Sequence, residues 1–207
     1  MKNYEDLNEI QMDALREIGN IGSGNAATAL ASMTDHPVDI SVPSIRILDY
    51  TEVVERLGGP EQILVGILLQ LHGDVNGMIM FLIKKEFSHL ILSQLGLPLS
   101  EDSCMEELDE MSVSALHEVG NILAGSFVNA IGEMTGLTID LSVPDMCVDM
   151  VGAILSVPAI YYADISDKII CIEDEMGTQA TKTGTHILLI PEVSSLEKIM
   201  DSLGLAQ

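Results

Sequence analysis

The sequence contains no tryptophan and only 3 Phe and 4 Tyr in 207 residues, so any core has to be assembled from Ile, Leu, Val, Met and Ala. With 12 Met among them, such a core is aliphatic and readily deformed. Cations are scarce too: 9 Lys and Arg stand against 32 Asp and Glu, a formal charge of -23. That balance argues against a phosphate-neutralising nucleic-acid face and against electrostatic docking on anionic lipid. The cysteines, Cys104, Cys147 and Cys171, are odd in number and far apart, which speaks against a disulfide framework and leaves no CxxC metal or redox motif. No apolar run approaches the ~18 residues that span a bilayer; the longest candidates, Ile63–Leu71 and Met78–Ile83, have the length of strands. The opening MKNYEDLNEIQMD is polar and acidic where a secretory leader is basic and then apolar. The expectation is a cytoplasmic protein without membrane insertion.

What the chain does have is a repetition. Asp13-Ala14-Leu15-Arg16-Glu17-Ile18-Gly19-Asn20-Ile21 returns as Ser114-Ala115-Leu116-His117-Glu118-Val119-Gly120-Asn121-Ile122, and Ser41-Val42-Pro43 returns in the same register as Ser142-Val143-Pro144. Hydrophobic residues make up 47% of the chain, ample for one shared core. Two tandem halves, residues 1–100 and 101–207, are therefore expected to form a single domain. Leu7, Ile10, Ala14, Ile18 and Ile21 recur at three-and-four spacing, as do Leu108, Met111, Ala115, Val119 and Ile122. These patterns predict long amphipathic helices over about 6–32 and 106–134, with Asp6 or Asn8 as cap. The small residues from Gly19 to Ala27 predict close passage of a neighbour rather than a break.

Each helix is followed by an alternating stretch, 38–42 and 139–143, which Pro43 and Pro144 confine to a sheet edge or a strand end. Gln62–Leu71 and Gly77–Lys84 read as a hairpin, matched later by Lys168–Ile172 and His186–Ile190. The second pair is separated by an acidic connector from Glu173 to Thr185, which is also the simplest place for the seven residues by which the second half is longer. Glu86–Leu95 and Ser194–Leu203 read as closing helices, each stopped by the Gly of a Leu-Gly-Leu. Residues 50–60 have no firm assignment. Within 149–163, Val151–Leu155 is expected as a short helix ended by Ser156-Val157-Pro158. The predicted architecture is α+β, with pseudo-two-fold symmetry, antiparallel strands, and the two long and two closing helices packed outside.

On a 3.6-residue helix, positions 13, 17 and 20 lie within about 60° of one another, so Asp13, Glu17 and Asn20 share one edge, as do Ser114, Glu118 and Asn121. A carboxylate pairs with a cation, and a carboxamide both donates and accepts, which suits it to hold a water in line with a reacting phosphorus or carbonyl. Other motifs fare worse. Gly22-Ser23-Gly24-Asn25-Ala26-Ala27 fits a dinucleotide fingerprint but follows a helical pattern instead of a strand. His117-Glu118 lacks the second His of a zinc helix, and the remaining histidines, His186 among them, read as surface or hairpin residues. The acidic group Asp164, Asp167, Glu173, Asp174 and Glu175 reads as a solvated loop.

The duplicated run Asp13-x-x-x-Glu17-Ile18-Gly19-Asn20-Ile21-Gly22-Ser23-Gly24-Asn25-Ala26-Ala27 and its copy from Ser114 to Ile122 resemble the two signature helices of the CheC family, whose members dephosphorylate the chemotaxis response regulator CheY. The resemblance implies an aspartyl-phosphate phosphatase in which Asn20 and Asn121 orient the attacking water while Glu17 and Glu118 pair with a Lys of the regulator. Asp13 and Ser114 match the signature position four residues before each Glu. It also implies no cofactor and no metal of the chain's own, the Mg²⁺ being carried by the regulator. Two alternatives stay open. One is a non-catalytic partner that sequesters the deamidase CheD, for which Asp149, Val151, Ile154 and Leu155, with Tyr161, are the docking candidates. The other is a flagellar-switch phosphatase component, which usually carries an extra domain for which 207 residues leave no room.

Overall fold

The structure, a computed structural model, describes residues 3–41, 43–97, 108–161, 168–177 and 182–206. A 3-10 turn, Tyr4–Asp6, leads into helix α1, Glu9–Thr34. Asn8 is its cap: the Gln11 N–H donates to Asn8 Oδ1 (3.0 Å) and the Asn8 N–H to Gln11 Oε1 (3.0 Å), so two otherwise orphaned donors are satisfied reciprocally. Then come strands β1 (Asp39–Ile40) and β2 (Ser44–Asp49), helix α2 (Tyr50–Arg56), strands β3 (Ile63–Gly73) and β4 (Gly77–Ile83), and helix α3 (Lys85–Gln94). The second half repeats the order: α4 (Glu110–Thr135), β5 (Ile139–Leu141), β6 (Asp145–Met150), α5 (Val151–Tyr161), β7 (Lys168–Gly177), β8 (Lys182–Pro191) and α6 (Val193–Ser202). Asp109 caps α4 by accepting from the Ser112 N–H at 2.7 Å. Gly96 and Gly204, with φ 77 and 73, stop α3 and α6 in the left-handed conformation that glycine adopts freely.

The eight strands among the described residues form one sheet in the order β1-β7-β8-β4-β3-β5, with β2 also beside β7 and β6 beside β3, and each of these pairings is antiparallel. Each half lends its edge to the other: β1 and β2 flank the hairpin of the second half, and β5 and β6 flank the hairpin of the first. The hairpins meet along β4 and β8. Pro43 and Pro144 fall between the two short segments of each edge, where a missing N–H interrupts no ladder.

Helices α1, α3, α4 and α6 cover one face through Leu15, Ile18, Leu30, Phe87, Ile91, Leu123, Phe127, Leu196 and Ile199. The opposite face is closed by α2 and α5 over Val53, Leu57, Val151, Ile154 and Leu155. Central strand β4 is consequently buried along its whole length. No helix among the described residues is long and apolar enough to cross a membrane.

Several expectations are corrected. Residues 50–56 form α2, capped by Asp49. Strands β2 and β6 have no counterpart in the sequence reading. Helix α5 does not end at Pro158; Val151, Ile154, Leu155 and Pro158 line its buried stripe and carry it on to Tyr161. The extra length of the second half is not confined to the connector. The interval between matching elements is 101 at Tyr50 and Val151, 105 at Ile63 and Lys168, and 108 at Lys85 and Val193, so four of the seven residues lengthen α5. Glu173, Asp174 and Glu175 belong to β7 rather than to a loop; Asp164 and Asp167 lie outside the described residues.

Two polar clusters explain why an acidic strand can be partly buried. Glu173 accepts from Ser44 Oγ (3.1 Å) and Arg56 Nη1 (3.0 Å) and has Arg46 Nε within 3.7 Å. His186 lies 3.9 Å from the same carboxylate and is buried, not surface; burial holds its pKa below the usual value. On the helix-covered face Asp174, 3% exposed, accepts from Ser41 Oγ at 3.1 Å. Burial raises its pKa, with the hydroxyls of Ser23 and Ser41 partly offsetting the rise.

The sign of the linkage follows. Between the ordinary carboxylate pKa and the raised one, the native state holds more protons than the unfolded chain, so stability falls as pH rises through that window and the charged form remains a cost above it. Asp174→Asn is expected to raise the thermal midpoint at neutral pH and to flatten its dependence on acidification. Equal midpoints for wild type and variant at neutral pH would contradict this.

Candidate active site

Both long helices turn glycines inward, Gly19 and Gly22 on α1 and Gly120 on α4. A Cβ on Gly22 would come within 2.7 Å of the Phe127 ring, so α1 and α4 touch at a point that only glycine allows. A Cβ on Gly19 would meet Ile45 Cδ1 of β2 at 2.8 Å, and one on Gly120 would meet Ile67 Cγ2 of β3 at 2.5 Å. The residue before each asparagine thus presses the helix backbone against the sheet, and the next residue round the helix points away from it. Glu17, Asn20, Glu118 and Asn121 are all exposed, as are Asp13 and Ser114. The expected shared edge therefore exists on both helices, accessible to another molecule.

The two edges differ in detail. Asp13 forms an ion pair with Arg16 on the same helix, whereas the second copy has Ser114 and His117 at these positions. Beneath them the difference is larger. The Glu175 N–H donates to Ser41 Oγ (3.1 Å) and the Ser41 N–H to the Glu175 carbonyl (3.0 Å), as the Gln70 N–H donates to Ser142 Oγ (2.9 Å) and the Ser142 N–H to the Gln70 carbonyl (3.0 Å). By that equivalence Asp174 occupies the place of Leu69, and Ser23 on α1 the place of Ala124 on α4. Helix α1 sets its own buried Ser23 hydroxyl over the buried Asp174 carboxylate of β7, where α4 sets Ala124 over Leu69 of β3.

Of the docking candidates, Asp149 and Tyr161 are exposed, but Val151, Ile154 and Leu155 are fully or almost fully buried against the sheet, which leaves little side-chain surface for a partner at those three positions. Val157 and Ile160 join Tyr161 as the exposed apolar surface of α5. The period of the sequence contained part of that distinction, because 151, 154, 155 and 158 form one stripe and 157 and 160 lie off it. Ile10 and Met111 are also corrected. They were expected in the core stripe, yet each lies about 140° round its helix from Leu15 or Leu116, which point inward, and both are exposed.

Other chemistry is poorly supplied. Among the described residues no three His, Cys, Asp or Glu side chains are grouped as metal ligands. Cys171 is buried, its thiol pushed up to about 12 by burial, and burial raises Cys147 as well, so neither offers a ready thiolate.

A family model described as CheC-like matches residues 10–47 and 111–147, the segments that carry the two edges. The CheY-P phosphatase CheC of Bacillus subtilis is 34% identical over 209 residues, covering 99% of both chains. Among solved structures, FliY of Thermotoga maritima superposes with a TM-score of 0.75 at 23% identity, over 98% of this chain and 100% of that one. The CheX-CheY-BeF3-Mg²⁺ complex of Borrelia burgdorferi contains a chain that matches with a TM-score of 0.52 at 19% identity, over 83% of this chain and 95% of that one. At these identities the solved structures show the shared fold, while the full-length similarity to the Bacillus protein goes further: this chain belongs to the CheC-like family.

Proposed function

We propose that the chain is a phosphatase acting on the aspartyl-phosphate of a CheY-like response regulator, with one site at Glu17 and Asn20 and a second at Glu118 and Asn121. The observation that carries this reading is the exposed Glu–Asn edge present on both helices, on a scaffold shared with a relative named as a CheY-P phosphatase. An exposed carboxamide with no nucleophile beside it suits a reaction in which water is the nucleophile. The asparagine enters the regulator's pocket and hydrogen-bonds that water in line with the phosphorus. The water oxygen bonds to phosphorus, the bond to the regulator's carboxylate breaks, and inorganic phosphate leaves. The glutamate pairs with a lysine of the regulator and fixes the approach. The Mg²⁺ that neutralises the phosphoryl charge belongs to the regulator, and the chain contributes no cofactor.

At -23 the protein gains little from long-range attraction to another acidic surface, so recognition depends on local contacts at the two edges. The test is the rate at which phosphate is lost from a phosphorylated regulator with and without the purified chain. Acceleration is expected; decay at the spontaneous rate would sink the reading.

A second reading, compatible with the first, makes the chain a partner of a CheD-like deamidase. Val157, Ile160 and Tyr161 favour it, forming an exposed apolar patch on α5 beside a cleft lined by Tyr50, Val54, Gly152 and Ala159. Ile160→Asp is expected to abolish that association in a pull-down while leaving phosphate release unchanged.

A further inference from the structure

Ile10 and Met111 stand out among the exposed large hydrophobic side chains. They are 65% and 64% exposed, and among the described residues they are the two such side chains separated by the interval of the duplication. The same exposure at the same place in both copies indicates the same task in both. Their position says which. Ile10 lies about 20° round the helix from Glu17 and about 10 Å along it towards the N-terminus; Met111 stands in the same relation to Glu118. Ile10, Asp13, Glu17 and Asn20 are thus one continuous outward strip, apolar at the start and polar thereafter, and Met111, Ser114, Glu118 and Asn121 are its twin.

We infer that Ile10 and Met111 are anchors for the response regulator, each burying its side chain in an apolar patch about 10 Å from the lysine that the glutamate engages. This rests on the phosphatase reading for the identity of the partner. A helix whose glutamate and asparagine face a partner brings the rest of the same strip against it, and an isoleucine or methionine there loses water in every complex, before and during phosphate transfer. Such contact is uniform: it strengthens association without favouring the transition state over the ground state. It also supplies an attraction that does not depend on charge, which a strongly acidic protein meeting an acidic surface requires. Ile and Met differ in shape but bury similar apolar area, and Met adapts to an irregular patch, so the two anchors can serve one regulator.

The direct readout is binding of a phosphorylated CheY-like regulator to the chain carrying Asn20→Ala and Asn121→Ala, in which turnover does not consume the complex. In that background Ile10→Ser together with Met111→Ser is expected to weaken Kd by about tenfold at each site, and Ile10→Met to preserve it. With the asparagines intact, the serine changes raise KM by a similar factor and leave kcat unchanged. Thermal midpoints should not move, because both side chains are exposed. An unchanged Kd, or the absence of any complex to weaken, overturns the anchor assignment. Failure of the phosphatase reading is a separate result: it appears as no turnover by the wild-type chain, whatever the Kd series shows.

Discussion

Asn20→Ala combined with Asn121→Ala should reduce phosphate release from a phosphorylated regulator by about a hundredfold or more. The estimate follows from what a carboxamide contributes. It does not bond to phosphorus and carries no charge; it removes the positional freedom of one water, and misplacing a reacting group by an ångström is enough for such a loss. Alanine leaves the helix intact, being the best helix former, and all four catalytic candidates are exposed, so folding should be unaffected. Each single change should retain the turnover of the other site, and the ratio of the two single-variant rates measures how far the sites differ. The polar contact of Ser23 on α1 with Asp174 beneath it, against Ala124 on α4 over Leu69, gives a physical reason for that ratio to depart from one. If the double variant still dephosphorylates at the wild-type rate, the water-positioning role is wrong and the partner-binding reading remains.

The second large effect concerns the glycines just before the asparagines. Gly120→Ala puts a methyl group 2.5 Å from Ile67 Cγ2. That atom branches from the Cβ of a fully buried residue on β3, a strand paired with both β4 and β6, and its χ1 rotation is restricted. The clash is relieved only by lifting α4 from the sheet, at an overpacking cost of about 1–3 kcal/mol, against which the better helix propensity of alanine returns about 1 kcal/mol. Gly19→Ala meets Ile45 Cδ1 at 2.8 Å, the free end of an isoleucine's longer branch, which can turn aside by rotation about χ2, so it should be close to neutral. Lifting α4 also displaces Asn121, so in the Asn20→Ala background Gly120→Ala should lose most of the remaining turnover. Ile67→Ala removes the clashing atom but opens a cavity of its own, so the pair of changes should cost less than the sum of the two single changes, as expected when two groups compete for one space. Equal urea midpoints for Gly19→Ala and Gly120→Ala would refute the assignment of the contact.

The repetition in the sequence carried most of this. Period alone located α1 and α4 to within a few residues, and the placement of Glu17, Asn20, Glu118 and Asn121 on an outer edge followed from helix geometry. The hairpin at β3 and β4 was legible from its turn residues. Elements whose formation depends on distant neighbours were not. Strand β2 is short and pairs with β7, more than a hundred residues away, so nothing local announces it. Helix α5 runs through Pro158 because the opposite sheet face buries its stripe, which outweighs the local penalty of the ring. Glu173 and Asp174 look like loop residues until Arg46, Arg56, Ser41 and Ser44 arrive from the other half to satisfy them. Ile10 and Met111 were misplaced for a different reason: a stripe read as merely apolar ignores the inward direction set by Leu15 and Leu116.

The exchange of sheet edges has a further consequence. A chain ending after α3 would hold a hairpin stripped of the flank that β5 and β6 provide, and the remainder would lack β1 and β2. Separate fragments would therefore have to associate in trans before either acquired its full sheet. Should one of the two Glu–Asn edges cease to be needed, truncation could not remove it without dismantling its neighbour; it could be silenced only by exchanging a side chain or two, leaving its helix in place as architecture.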